Sequence, residues 1–220
     1  VTIEDMEEKT AVAKAKNVKI MLLSSARDEV YPMGDVNESD PAVIMFTGGT
    51  TGKSKGAELT NGAVMQGTVN GCYGLKYVFE QRYLNVLPFS HVFGLIRNLM
   101  TSLYTGSTIF ICRNNKDMFR DIAMFRPTVM VMVPALAEMA LTLSKQFGKN
   151  MLGDDIKMVI CGAAAVSPYL IEEYDKMGIM LLPGYGLTES ANLVSGNPEN
   201  IKKPTSVGIP YPNQEFKIVD

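Results

Sequence analysis

Histidine is almost missing from this 220-residue chain. His91 is the only one, which excludes a His-rich metal centre. Cysteine is sparse as well. Cys72, Cys112 and Cys161 sit singly, with no C-x-x-C and an odd total, which argues against a disulfide framework and favours a reducing compartment such as the cytoplasm. No cluster of lysine and arginine stands out and the net charge is −2, which speaks against nucleic acid as the main partner. Long apolar runs are lacking too: the longest, 129–137, contains Pro134 and is far too short to span a membrane. The first residues, VTIEDMEEK, are acidic and cannot form a signal peptide. They also lack an initiator Met, so a processed or trimmed chain is expected.

What remains is an ordinary globular balance, 46% hydrophobic and 20% charged, with length enough for one large domain or two small ones. Apolar segments alternate with helical patterns. Strands are expected over 18–23, 42–46, 83–87, 108–112, 128–133, 158–161, 179–182 and 215–219. Helices are expected over 4–16, from the Thr60 cap to about 78, from near Phe93, and over 118–125, 134–146 and 168–177, with a polar loop over 26–41. Apolar strands separated by helices predict an α/β fold, a mostly parallel sheet flanked by helices.

The stretch 45–56, MFTGGTTGKSKG, follows an expected strand and is rich in groups that hold anionic oxygens. It nearly fits the nucleotide-binding pattern G-x-x-x-x-G-K-[ST], but the first glycine would have to be residue 47, which is Thr47. A P-loop NTPase is disfavoured on that ground, and because no apolar strand ends in a convincing magnesium-binding Asp. On its own the stretch is equally readable as a surface turn.

Three further segments follow in order: VLPFSHVFG at 86–94, ICGAAAVSP at 160–168 and GYGLTES at 184–190. Together with TGGTTGKSKG they resemble the adenylate-forming superfamily of acyl-CoA synthetases, luciferases and peptide-synthetase adenylation domains. The family's phosphate loop, [YF]-T-[SG]-G-T-T-G-x-P-K-G, is matched by residues 46–56, with Gly48 where Ser is commoner and Ser54 in place of Pro. The resemblance covers about residues 40–220 and is nearest to long-chain fatty acid and other acyl-CoA synthetases.

The resemblance implies an enzyme that joins a carboxylic acid to the α-phosphate of ATP, releases pyrophosphate, and passes the acyl group to CoA. Gly48, Gly49 and Gly52 would let the backbone approach the β- and γ-phosphates, and Thr47, Thr50 and Thr51 would add hydroxyls. Lys55 would supply positive charge, while Lys53 falls at the family's variable position. In the segment Gly184-Tyr185-Gly186, Tyr185 would lie along the adenine. Thr188 would touch the α-phosphate and Glu189 would hold Mg2+, a carboxylate being suited to a hard cation. Gly162, Ala163 and Ala164 would leave room for the base. His91 would border the carboxylate pocket as a positioning or gating residue, with Val92, Phe93, Gly94 and Leu95 in the acyl wall; no triad is indicated. Cys72 and Cys161 read as small buried residues and the 15 methionines as core filler.

The family's ribose-binding T-G-D segment and its C-terminal domain, with the lysine that contacts the acyl carboxylate, have no counterpart in these residues. The expectation is a central core subdomain of the large domain, truncated at both ends and inactive alone, its partners including the remaining parts of the parent chain. Two other readings stay open: an adenylation domain that delivers the acyl group to a carrier protein, and a non-catalytic nucleotide-binding or interaction module.

Overall fold

The computed structural model describes residues 34–48, 54–198, 203, 206–212 and 214–219. The chain divides after Asp35, and the architecture below belongs to residues 36–220. The helix expected over 4–16, the strand over 18–23 and most of the loop over 26–41 lie outside the described residues.

Five strands form the parallel part of the main sheet. Their spatial order is β4 (Thr108–Ile111), β3 (Arg82–Asn85), β5 (Val129–Met132), β6 (Met158–Cys161) and β7 (Met180–Leu187). Two antiparallel strands, β8 (Asn192–Gly196) and β9 (Ile209–Pro210), complete the edge beside β7. β5 and β6 are buried at every residue, as strands covered on both faces must be, and Met130, Met132 and Met158 fill the core there.

The crossover helices begin where the sequence provides a start. Pro134 opens α4 (Pro134–Phe147), which ends on Gly148 in the left-handed region (φ 60°). Pro168 opens α5 (Pro168–Lys176), where the Leu170 N–H donates to Ser167 Oγ at 3.2 Å. The Tyr174 hydroxyl of α5 donates to the Ala137 carbonyl of α4 at 2.9 Å, and Lys145 and Lys176 both pair with Glu173. α3 (Met118–Phe125) leads into β5. At the opposite edge of the sheet from the strands' carboxyl ends, Asp155 takes Arg82 at 2.6 Å and Arg126 at 3.0 Å.

The expected α/β class is present, and several local expectations need correction. The strand over 42–46 exists as β1 (Pro41–Thr47), but it pairs with β2 (Lys55–Thr60) in a separate antiparallel hairpin. β2 escaped notice because KGAELT has no apolar alternation; cross-strand pairing makes it a strand. The helix begun by Thr60, whose Oγ1 accepts from the Ala63 N–H at 3.2 Å, is α1 (Asn61–Asn70) and stops well short of 78. Gly71 caps it, and Gly74 takes φ 70°, which ends the helical path. The segment 215–219 pairs with no strand, and Ile218 is 98% exposed.

The helix expected near Phe93 is a π-helix, Phe93–Met100, continuing into α2 (Thr101–Tyr104). The Thr101 N–H reaches back five residues to the Ile96 carbonyl. This helix is pinned to the end of β3: Asn98 Nδ2 donates to Asn85 Oδ1 at 2.6 Å, and Asn85 Nδ2 donates to the Leu87 carbonyl at 2.9 Å.

Cys161 is fully buried and Cys72 nearly so, in keeping with a packing role. Burial pushes the Cys161 thiol up to about 12. With a thiol reagent at pH 8, half-buried Cys112 should label first and Cys161 only as the protein unfolds. Rapid native labelling of Cys161 would contradict this core.

Candidate functional site

Chain order and spatial order differ at one point of the parallel sheet. From β3 the chain moves outward to β4, then returns to the other side of β3 as β5. In such sheets ligands bind beyond the carboxyl ends of the strands. The segments after β3, after β6 and at the end of β7 all emerge at that edge, and they are the segments with unusual sequence.

An open cleft of about 400 Å³ lies there. One wall is His91, Val92 and Phe93, after β3 and at the start of the π-helix. Ala163, just beyond β6, forms part of the floor, and Gly184, Gly186, Thr188 and Glu189 come from β7 and its turn. The β1–β2 hairpin supplies Thr47, Gly48 and Lys55, the two ends of the glycine-rich loop. Thr47 and Lys55 are cross-strand partners, so the hairpin fixes where the loop leaves and returns. Gly49, Thr50, Thr51, Gly52 and Lys53 lie outside the described residues.

His91 has a defined orientation. The Phe93 N–H donates to its Nδ1 at 3.1 Å, so Nδ1 carries no proton in that bond and Nε2–H is the free donor. Ala163 sits at φ 67°, a left-handed conformation uncommon for alanine and a local strain at the cleft floor. Gly162 is buried beneath it, and an added Cβ would stand 3.2 Å from the Phe93 ring.

The turn after β7 is braced from several sides. Ser190 Oγ accepts from the Leu187 N–H at 3.1 Å and lies 2.9 Å from the Leu187 carbonyl. The Ala191 N–H donates to the Thr188 carbonyl at 3.1 Å. Gly186 is required by close approach: a Cβ would fall 2.0 Å from the Asn192 carbonyl oxygen. From below, Asn192 Nδ2 donates to the Gly67 carbonyl in α1 at 3.2 Å. This bracing presents Thr188 and the exposed carboxylate of Glu189 to the cleft.

Not every expected residue arrives. Tyr185, 44% exposed, does not line the cleft, and neither does Ala164. Gly94 serves the start of the π-helix: a Cβ there would lie 2.3 Å from the Pro88 carbonyl oxygen. Conversely, Leu187, Asn192 and Leu193 line the cleft without having been singled out, and Ser190 was quoted in its motif without a role. No group of three or more His, Cys, Asp or Glu side chains forms a metal cage among the described residues. A single carboxylate such as Glu189 suits a magnesium ion that takes its other ligands from phosphate oxygens and water. No helix among the described residues is long and apolar enough to cross a membrane.

The chain is similar to known proteins in sequence and in fold. The chain is 33% identical over 198 residues to a long-chain-fatty-acid–CoA ligase of Salmonella typhimurium, covering 86% of this chain and 35% of that protein. It is 33% identical over 219 residues to a 4-coumarate–CoA ligase-like protein of Arabidopsis thaliana, covering 94% of this chain and 38% of the relative. The chain thus spans little more than a third of the curated relatives it matches. Among solved structures it is similar to an o-succinylbenzoate CoA synthetase from Bacillus subtilis in complex with the acyl-adenylate intermediate OSB-AMP. The TM-score is 0.73 at 26% identity, over 90% of this chain and 40% of that one. The same enzyme in complex with ATP and magnesium aligns over 100% of this chain and 46% of its own, with a TM-score of 0.80 at 24% identity, a likeness of fold. A family model described as AMP-binding enzyme matches residues 2–220: the chain belongs to the AMP-binding enzyme family.

Proposed function

We propose that this chain is the nucleotide-binding part of an AMP-forming acid–CoA ligase. The observation that carries the reading is the convergence of Thr47, Lys55, His91, Ala163, Thr188 and Glu189, far apart in sequence, on one cleft at the carboxyl edge of the sheet. The relatives that match are acid–CoA ligases by name, which supports the same reaction here.

In the first half-reaction an oxygen of the acid attacks the α-phosphorus of ATP. A P–O bond forms to the acid, the α–β bridge bond breaks, and pyrophosphate leaves. Negative charge builds on the phosphate oxygens, so fixed donors and cations at that place accelerate the step. Lys55 and the loop it closes hold the β- and γ-phosphates, with Thr47, Gly48, Gly49, Thr50, Thr51 and Gly52 contributing. Thr188 donates to the α-phosphate. Glu189 would hold Mg2+, which when bound would supply positive charge for the leaving pyrophosphate. Ala163, above the buried Gly162, leaves space for the adenine, and Gly184 and Gly186 run alongside it, with Tyr185 and Ala164 outside the cleft walls. His91 Nε2–H orients the acid's carboxylate, and Val92 and Phe93 wall the acyl group. In the second half-reaction the CoA thiolate attacks the acyl carbonyl, a thioester forms and AMP leaves. The free state of the three cysteines fits a cytoplasmic setting.

Acid-dependent ATP–pyrophosphate exchange in the ligase containing this chain tests the assignment. Lys55→Ala should slow exchange by about 10²-fold, the scale for removing one fixed charge-stabilising donor. Lys53→Ala should change it by less than about threefold, as expected of a solvated surface charge. Equal effects of the two substitutions would sink the phosphate-loop assignment.

A further inference from the structure

Arg97, in the middle of the π-helix, is among the largest fully buried side chains described. It belongs to none of the ion pairs among the described residues. The Tyr83 hydroxyl accepts a hydrogen bond from the guanidinium and donates to the Val78 carbonyl at 3.2 Å. The bond from Arg97 is a weak one, because by strict geometry all three guanidinium nitrogens stay unsatisfied. A guanidinium carries five N–H donors, so one tyrosine leaves most of them over.

Asn197 has the complementary deficit. Its Nδ2 donates to the Ser206 carbonyl at 2.8 Å, which fixes the amide, while its Oδ1 is buried without a donor. Surplus donors and a surplus acceptor thus border one small cavity, which Arg97 and Asn197 both line and whose volume is about 20 Å³. A water needs roughly 10–15 Å³ and two or more polar partners, and both conditions are met. Its oxygen accepts from Arg97 and one of its hydrogens goes to Asn197 Oδ1. Tyr73 and Tyr211, packed edge to face with ring centroids 5.9 Å apart, wall the cavity as well.

The elements joined by this water are the ones that shape the functional cleft. Arg97 lies four residues beyond Phe93, a cleft wall, on the same helix. Asn197 directly follows β8, whose Leu193 lines the cleft, and Gly196 of β8 pairs with Gly184 of β7. Gly184 and Leu193 separate the cavity from the cleft, being walls of both.

We propose that Arg97 is a positioning residue: through one buried water it holds Asn197, and with it the β7–β8 wall of the cleft, against the helix that carries Phe93. No ligand touches Arg97. A small error in the spacing of two cleft walls misplaces whatever lies between them, and reaction rates are steeply sensitive to such errors. The kinetic consequence rests on the acid-ligase reading; the water rests on the cavity and its two polar walls alone.

A high-resolution crystal structure of the ligase containing this chain tests the water directly. One ordered water should lie within about 3.2 Å of an Arg97 nitrogen and of Asn197 Oδ1, and Arg97→Met should lose it. A dry cavity, or a direct Arg97–Asn197 bond, would overturn the inference whatever the activity. ATP–pyrophosphate exchange tests the positioning. Arg97→Met should lower kcat/KM about tenfold. Its thermal midpoint should equal or exceed that of the parent, since an apolar residue of similar volume replaces a buried charge. A merely structural arginine would instead lose activity and stability together. Asn197→Ala should cost about tenfold alone, yet little more in the Arg97→Met background, because both residues hold the same water. Arg97→Lys keeps a charged donor and should stay within about threefold of the parent; with Asn197→Ala it carries the test if Arg97→Met does not fold. Full activity in Arg97→Met or Asn197→Ala, or strictly additive losses, would overturn the positioning role and leave the ligase reading standing. No exchange by the parent with any acid would sink the ligase reading, and the crystal structure would still decide the water.

Discussion

Glu189→Gln should cost the ligase about 10²–10³-fold in adenylate formation, roughly 2.7–4 kcal/mol of transition-state stabilisation. The side chain is exposed in the turn after β7 and lines the cleft. Amide for carboxylate is nearly isosteric, so folding should be untouched and the thermal midpoint unchanged. The amide is a poorer ligand for a hard divalent ion, and no cluster of other acidic groups stands by to replace it among the described residues. The diagnostic readout is therefore the magnesium dependence of exchange: the variant should need far more Mg2+ for half-maximal rate. A variant with unchanged dependence and near-normal rate would remove Glu189 from the metal role.

Gly67→Ala should reverse the usual sign of a glycine-to-alanine change in a helix. At an unconstrained interior position the substitution stabilises by about 0.8–1 kcal/mol. Gly67 is inside α1, but a Cβ there would lie 2.2 Å from the Ala191 carbonyl oxygen and 3.3 Å from Ile96 Cγ2. The obstacle is backbone, which cannot swing aside as a side chain can. Overpacking of this kind costs about 1–3 kcal/mol, and each kcal/mol should lower the thermal midpoint by about 2–4 °C in a chain of this size. Activity should fall further than stability alone explains, because the displaced segment runs straight into the turn bearing Thr188 and Glu189, and because Asn192 hangs on the Gly67 carbonyl. A midpoint equal to or above that of the parent would show that α1 and the Ala191 turn are not so closely apposed.

Thr47, Lys55, His91, Ala163 and Glu189 were legible through the resemblance of four ordered segments rather than through composition or spacing, and all five line the cleft. Strands such as 129–132 and 158–161 announce themselves by continuous burial-grade side chains. β2, β8 and β9 were not legible: their glycines, serines and prolines carry no periodicity, and only the neighbouring strand makes them strands. That blind spot hid half of the cleft's bracing, since Asn192 and Leu193 belong to β8. The 215–219 segment errs the other way, its apolar residues having the pattern of a strand without an edge to join. The full burial of Arg97, a lone cation within FGLIRNLM, was not legible either, because sequence cannot say whether such a residue faces water or the core. Gly94 was placed in the acyl wall for its neighbourhood, whereas its lack of a side chain answers to the Pro88 carbonyl.

The β1–β2 hairpin has its own small apolar cluster. Met45 and Leu59 pack with Val92, Ile96 and Ala191, apart from the large core that encloses the parallel strands. Few buried apolar residues hold it, so its local free energy of opening lies below that of the sheet. The anchor points of the glycine-rich loop therefore belong to a part of the molecule that can detach and reclose while the rest stays folded. On the proposed reading, phosphate binding draws on a local folding equilibrium, and a ligand that grips the loop should protect the hairpin's amides and tighten its docking by the same free energy.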